Sequence, residues 1–126
     1  MDRQKLEPLL DALTHFSGFL EPGSPLNRAR NPLGLRPLKP EQPRDEHGFR
    51  VFRSVLDGMQ AALFDLEIKV CGRLAPESTL TDLACSYGHK ATVAQAWARH
   101  LRKALADETI THHTAIKRFI EDTNGR

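Results

Sequence analysis

Apolar residues recur at helical spacing in two long stretches of the chain. In residues 3–20, five of them alternate at steps of three and four: Leu6, Leu9, Leu13, Phe16 and Leu20. This spacing places them on one face of a helix. A second series with the same steps predicts a long helix over residues 45–73: Phe49, Phe52, Leu56, Met59, Leu63, Leu66 and Val70.

The second series is a heptad seam, which needs a partner to cover it. The matching seam of the first helix is one partner, within the same chain. A second copy of the chain is the other, which would make a homodimer through residues 49–70. Both remain open.

Between these helices, residues 21–44 contain six of the eight prolines of the chain. Proline has no N–H to donate and disfavours helix at the residue before it, so the segment is predicted to be an extended linker or arm. It is also basic, and Arg28, Arg30 and Arg36 are candidate contacts to nucleic acid. The alternative is a solvated connector without a binding role.

Three further helices are predicted after residue 76, with Ser78 or Thr79 as the cap of the first and Asp82 as its capping-box partner. Their expected ranges are 79–87, 91–105 and 108–122. The expected fold is therefore an all-α, single-domain helical bundle over residues 1–126. Its parts are an N-terminal helix (1–20), a proline-rich arm (21–44), a long helix (45–73) and a C-terminal helical section (76–122).

A small residue, a glycine and two apolar positions follow one another at characteristic spacing in residues 79–99. Ala84 allows a close helix crossing, Gly88 follows four residues later, and Ala94 and Trp97 lie six and nine positions beyond the glycine. The stretch resembles the helix-turn-helix, a motif whose second helix lies in the major groove of DNA. His89, where an apolar residue is usual, and Val93, one position early, depart from the pattern.

Charge strengthens this hypothesis, because residues 85–104 carry four bases and no acid. If Trp97 faces inward, Thr92, Gln95, Arg99 and Arg102 fall on the opposite, exposed face. Side chains of these types bond base edges and phosphates. Lys90, Thr92, Gln95 and Arg99 are the expected base contacts, and Arg102 and Lys103 the expected phosphate contacts.

Other chemistry has weak support in the sequence. Cys71 and Cys85 are expected to be small buried residues rather than metal ligands, and no cofactor is expected. No catalytic motif is present, so an enzyme is not expected. No apolar run approaches the length of a membrane span, and two cysteines without a CxxC pair fit a reducing cytoplasm.

The sequence thus predicts a sequence-specific binder of duplex DNA, as a small transcriptional regulator or an accessory factor of a mobile element. The alternative is a helical protein-interaction module, such as a small inhibitor or a subunit of a nucleoprotein complex. Its working surfaces would be the heptad seam and the proline-rich arm. A single-strand or RNA-binding subunit is a third possibility, with few aromatic residues near the bases to stack on nucleotides.

Overall fold

Residues 3–120, which the computed structural model describes, form a helical structure without a β-strand. Two isolated antiparallel bridges in this range join Arg44 with Arg50 and Thr79 with Ala115. The α-helices are α1 (Glu7–Phe16), α2 (Pro25–Ala29), α3 (Val55–Ile68), α4 (Leu80–Ser86) and α5 (Ala91–Leu105). The expected all-α class is confirmed.

The core gathers one face of each of the four longer helices. α5 packs against α1 and α4, and α1 also contacts α3. The fully buried larger side chains of this core are Leu6, Leu9, Leu13, Leu66, Leu80, Leu83, Trp97, Leu101, Ile110 and Ile116. Burial of such side chains supplies most of the driving force for folding.

The N-terminal helix is shorter than predicted. A 3₁₀ turn (Arg3–Leu6) leads into α1, which ends at Phe16, and Gly18 follows with a φ of +92° that no helix accommodates. Leu9 and Leu13 are buried as expected, but Leu20 lies beyond the helix and is 55% exposed. The predicted apolar face therefore holds only for its first part.

The prediction of an extended arm over residues 21–44 is wrong, because the segment folds onto the body of the protein. Ser24 caps α2, with its hydroxyl accepting from the Asn27 N–H at 3.2 Å. Asn31 is fully buried, and its amide donates to the carbonyls of Leu35 at 2.8 Å and Arg50 at 2.9 Å. Its side-chain oxygen accepts from the Leu35 N–H at 2.8 Å. These three bonds satisfy a buried polar group and hold the segment in place.

The predicted helix over residues 45–73 is correct only in its second half. α3 begins at Val55, where Ser54 accepts from the Asp57 N–H at 3.1 Å, and a π-helical turn (Lys69–Arg73) ends it. Gly48, with a φ of +82°, interrupts any earlier helix. Phe49 and Phe52 consequently lie outside α3.

The predicted heptad seam matches the buried face of α3 only in part: Leu66 and Val70 are buried, and Met59 and Leu63 are partly buried against the core. Gly58, Ala62, Leu66 and Val70 form the buried line, at steps of four residues, whereas Leu56 is 65% exposed. Small residues occupy the first half of this line because backbone from the preceding segment lies directly against the helix.

The predicted last helix, 108–122, is also wrong. Residues 107–115 form turns, and a short 3₁₀ turn (Ile116–Phe119) follows. The Asp107 carboxylate accepts from the Thr109 N–H at 3.0 Å and pairs with Arg118, an arrangement that stabilises turns over helix. The last residues of the expected helix, 121 and 122, lie outside the described range.

Gly58 provides a test of the close packing around α3. A Cβ at this position would lie 1.9 Å from the Arg30 carbonyl oxygen and 3.2 Å from the Pro32 Cδ. Alanine normally stabilises a helix by about 1 kcal/mol relative to glycine. Here we expect Gly58→Ala to destabilise the protein by about 1–3 kcal/mol, because backbone must move to relieve the overlap. Urea denaturation measures the difference.

Gly72→Ala is the matched control. No heavy atom lies within 4 Å of a Cβ built there, so the substitution should be neutral or should stabilise the protein by up to about 1 kcal/mol. Equal unfolding free energies for the two variants would contradict the close approach of Gly58 to Arg30.

Candidate nucleic-acid interface

The junction of α4 and α5 has the predicted local structure. Thr79 and Asp82 form a capping box at the start of α4, and a four-residue turn (87–90) separates the two helices. Gly88 adopts a φ of +78°, the left-handed conformation that favours glycine. The His89 N–H then donates to the Ala84 carbonyl at 3.0 Å, which closes the turn against α4. The bounds of both helices agree with the sequence prediction within a residue.

The inward face of α5 is built on Trp97, which is fully buried as predicted. Ala94 and Leu101, one turn to either side, are also buried, whereas Val93 is only half-buried. His89 lies against this face, with its ring edge-on to the Trp97 indole at a centroid distance of 5.9 Å. Partial burial lowers the pKa of His89, so the neutral ring substitutes for the expected apolar residue.

The outward face of α5 presents Thr92, Gln95 and Arg99, all exposed. Lys90, at the N-cap, and Lys103, in the last turn, are exposed as well. These five side chains form what we call the outer stripe. Since α5 contains no acid, the helix itself does not neutralise its three cations.

Arg102 differs from the prediction, because it is half-buried rather than part of the exposed face. Its Nη1 donates to the Ile110 carbonyl at 2.8 Å, across the turn that follows α5. A hydrogen bond of this kind from a charged donor stabilises the turn. Arg102 therefore has a structural role and is not part of the outer stripe.

A shallow depression of about 510 Å³ beside the outer stripe contains residues that the sequence pattern did not connect with α5. Asp82, His112 and His113 share it with Thr92 and Gln95. The two imidazole rings lie 4.0 Å apart, on a loop and not on a helix. Thr81 positions this loop, with its hydroxyl donating to the His112 carbonyl at 3.1 Å. A contact across 31 residues leaves no local signal in the sequence.

The three arginines of the predicted arm all contact their own chain. Arg28 pairs with Glu46 at 3.6 Å, and the Nη1 of Arg30 approaches the Phe52 carbonyl at 3.5 Å. The Nη1 of Arg36 donates to the His47 carbonyl at 2.6 Å. These contacts hold the folded segment together, so the three arginines are not grouped with the outer stripe.

The expected burial of the two cysteines is wrong: Cys71 and Cys85 are both exposed, and neither is in a disulfide. Within residues 3–120, no group of three His, Cys, Asp or Glu side chains has an arrangement that fits a metal ion. Cys85 and His89, four residues apart along the chain, are therefore not part of such a group.

A second polar cluster lies on the other side of the turn between α4 and α5. The Tyr87 hydroxyl donates to the Asp65 carboxylate at 2.7 Å, and the Lys69 ammonium lies 3.2 Å from the same oxygen. The Lys69 Nζ is also 3.3 Å from the centre of the Tyr87 ring, a cation–π contact. Through these contacts α3 holds the turn that leads into α5.

Comparisons with known proteins identified no relative of this chain. No protein-family model matches the chain, and no curated protein or solved structure matches it. Over residues 3–120, no helix combines the length and apolar character that crossing a bilayer requires. The chemistry of the outer stripe, of the depression with His112 and His113, and of the Tyr87 cluster is therefore the basis for a functional proposal.

Titration of Tyr87, the only tyrosine of the chain, tests the cluster with Asp65. Burial raises the pKa of Tyr87, and the negative charge and hydrogen bond of Asp65 raise it further. An unfolded tyrosine ionises near pH 10. The folded state should therefore lose stability as the pH rises above about 10, because only the unfolded state releases the proton there.

Absorbance spectroscopy over an alkaline titration measures this directly. We expect tyrosinate absorbance to rise together with unfolding, as followed by circular dichroism. Tyr87→Phe should remove the absorbance change. A tyrosinate signal with a midpoint near pH 10 in a folded protein would contradict the buried hydrogen bond.

Proposed function

We propose that this protein binds duplex DNA in a sequence-specific manner, with α5 in the major groove. The observation that carries the proposal is the outer stripe: Thr92, Gln95 and Arg99 are exposed together on a helix without an acid. The opposite face of that helix is anchored by buried Trp97. An anchored helix with a polar and basic outer face suits insertion into the groove.

The proposed contacts divide by chemistry. Arg99 is suited to the O6 and N7 atoms of guanine, and Gln95 to the N6 and N7 atoms of adenine. Lys90 and Thr92, at the start of α5, would contact neighbouring base edges, and Lys103 would contact a phosphate. The Asp82 carboxylate beside Thr92 and Gln95 repels phosphates, so the DNA backbone is expected to pass on the side of Arg99 and Lys103.

The biological role that we infer is that of a small transcriptional regulator or an accessory factor of a mobile element, acting in the cytoplasm. Two exposed cysteines that form no disulfide fit a reducing compartment. No cofactor and no catalytic activity form part of this proposal.

A protein-interaction module is the second candidate, and α3 favours it. Leu56 is 65% exposed and Val55 51% exposed at the start of this helix. Neighbouring large apolar side chains left in solvent are typical of a surface that another protein covers. A homodimer through α3 is compatible with DNA binding, since two copies would present two recognition helices.

Selection from a random pool of duplexes tests the DNA proposal. We expect the wild-type protein to enrich a motif, and Arg99→Ala to flatten the base preference at one position, at a cost of about 1–3 kcal/mol. Lys103→Ala should weaken binding to all sequences alike and reduce the salt slope by about one unit.

Arg53→Ala provides the control with the same change in net charge. Arg53 is exposed in the segment before α3 and outside the outer stripe, so its loss should leave both the motif and the salt slope unchanged. If folded wild-type protein enriches no sequence, and Arg99→Ala and Arg53→Ala have equal residual affinity at low salt, the proposal is wrong.

Light scattering tests the dimer. We expect a concentration-dependent dimer for the wild-type chain and a folded monomer for Leu56→Asp, because the mostly exposed Leu56 contributes little to the core of the single chain. Leu38→Asp is the control, since Leu38 is 84% exposed but lies outside α3. A wild-type monomer at all concentrations would exclude the dimer.

A further inference from the structure

A groove of about 1000 Å³ lies on the side of the turn between α4 and α5 where Tyr87 contacts Asp65. Its walls are the turn after α1, the start of α2, residues 33–38, one face of α3 and residues 86–89. This volume is at the upper end of the range for small-molecule sites. None of the outer-stripe side chains lines it, so the groove is separate from the proposed DNA surface.

Positive charge predominates on the lining. Four cations border the groove (Arg36, Arg50, Lys69 and Arg73), against two acids, Glu21 and Asp65. Asp65 is already paired with Lys69 at 3.2 Å and bound by Tyr87 at 2.7 Å. The remaining cations therefore outnumber the remaining acid, and the charge complementary to the groove is negative.

Arg73 is the cation best placed to meet a ligand. It is exposed at the end of the π-helical turn, and its side chain makes no hydrogen bond or ion pair with the described residues. Arg36 and Arg50, in contrast, lie over the rings of Phe49 and Phe52, each at 4.5 Å. A free guanidinium at the edge of a groove matches a carboxylate, which accepts two parallel N–H bonds.

The groove also exposes apolar surface next to this charge. Phe64 is 52% exposed and Ile68 38% exposed, one helical turn apart on the face of α3 that lines the groove. The Arg3 guanidinium lies 5.8 Å from the centre of the Phe64 ring. The exposed part of the ring is suited to contact with a second planar ring. The lining thus combines an aromatic platform on α3 with a cation, Arg73, that is unpaired among residues 3–120.

We propose that this groove binds a small aromatic acid, a planar apolar ring that carries one carboxylate. The ring lies on Phe64 and Ile68, and the carboxylate pairs with Arg73. Glu21, which also lines the groove, disfavours a second negative charge.

Displacement of a fluorescent probe tests the site. The probe is 8-anilinonaphthalene-1-sulfonate, an aromatic anion, and the competitors are 2-naphthoate and its neutral amide, 2-naphthamide. We expect one bound probe per chain, and displacement by naphthoate at concentrations at least about tenfold lower than by naphthamide, because only naphthoate pairs with Arg73.

Two substitutions at exposed positions separate charge from ring contact. Arg73→Gln should weaken naphthoate about tenfold and leave naphthamide unchanged, whereas Phe64→Ala should weaken both. Arg53→Gln and Leu105→Ala, a charge and an apolar residue outside the groove, should change neither affinity. Circular dichroism and thermal unfolding establish that each variant is folded.

The opposite results overturn the proposal. Equal displacement by naphthoate and naphthamide would exclude the role of Arg73. Equal loss of probe binding in Phe64→Ala and Leu105→Ala would show general adsorption to apolar surface. Because outer-stripe residues take no part, failure here leaves the DNA proposal intact, and failure of DNA selection leaves this site intact.

Discussion

The burial of one face of α5 is the constraint on which the other elements depend. Trp97 and Leu101 are fully buried where α5 packs against α1 and α4. The Trp97 indole N–H has no acceptor among the described residues, a loss of about 1–3 kcal/mol that the packing must exceed. Because α5 is held by this one face, the polar residues on its other face are not needed for packing. The outer stripe occupies that other face.

The parts of the structure that could be predicted from sequence are those specified by neighbours along the chain. The Thr79–Asp82 capping box and the positive φ of Gly88 are local features, and they define α4 and the start of α5. Strong amphipathic periodicity then correctly placed Trp97 inward and Arg99 outward. Near the end of α5, Arg102 does not follow the periodic pattern, because its side chain binds the turn that follows the helix.

The parts that could not be predicted are specified across long distances. Asn31 donates to the carbonyl of Arg50, 19 residues away, and that contact holds the proline-rich segment against the rest of the protein. The Arg30 carbonyl lies directly against α3 at Gly58, so a glycine occupies the buried line there. Hydropathy alone would have placed Leu56, which is exposed, on the buried face. Asp82 and His113, which are distant in sequence, are likewise brought together beside α5 only by the fold. Hydropathy describes how apolar a residue is, but not which backbone lies opposite it.

The single tyrosine of the chain lies in the turn between α4 and α5, and the single tryptophan lies within α5. Tyr87 borders the groove, whereas Trp97 is enclosed behind the outer stripe, beside His89. Tryptophan and tyrosine emission from the unlabelled protein therefore originates from these two residues alone. The protein carries two intrinsic optical reporters, one that lines the groove and one on the buried face of α5. Events on the two surfaces can be followed through the absorbance of Tyr87 and the emission of Trp97.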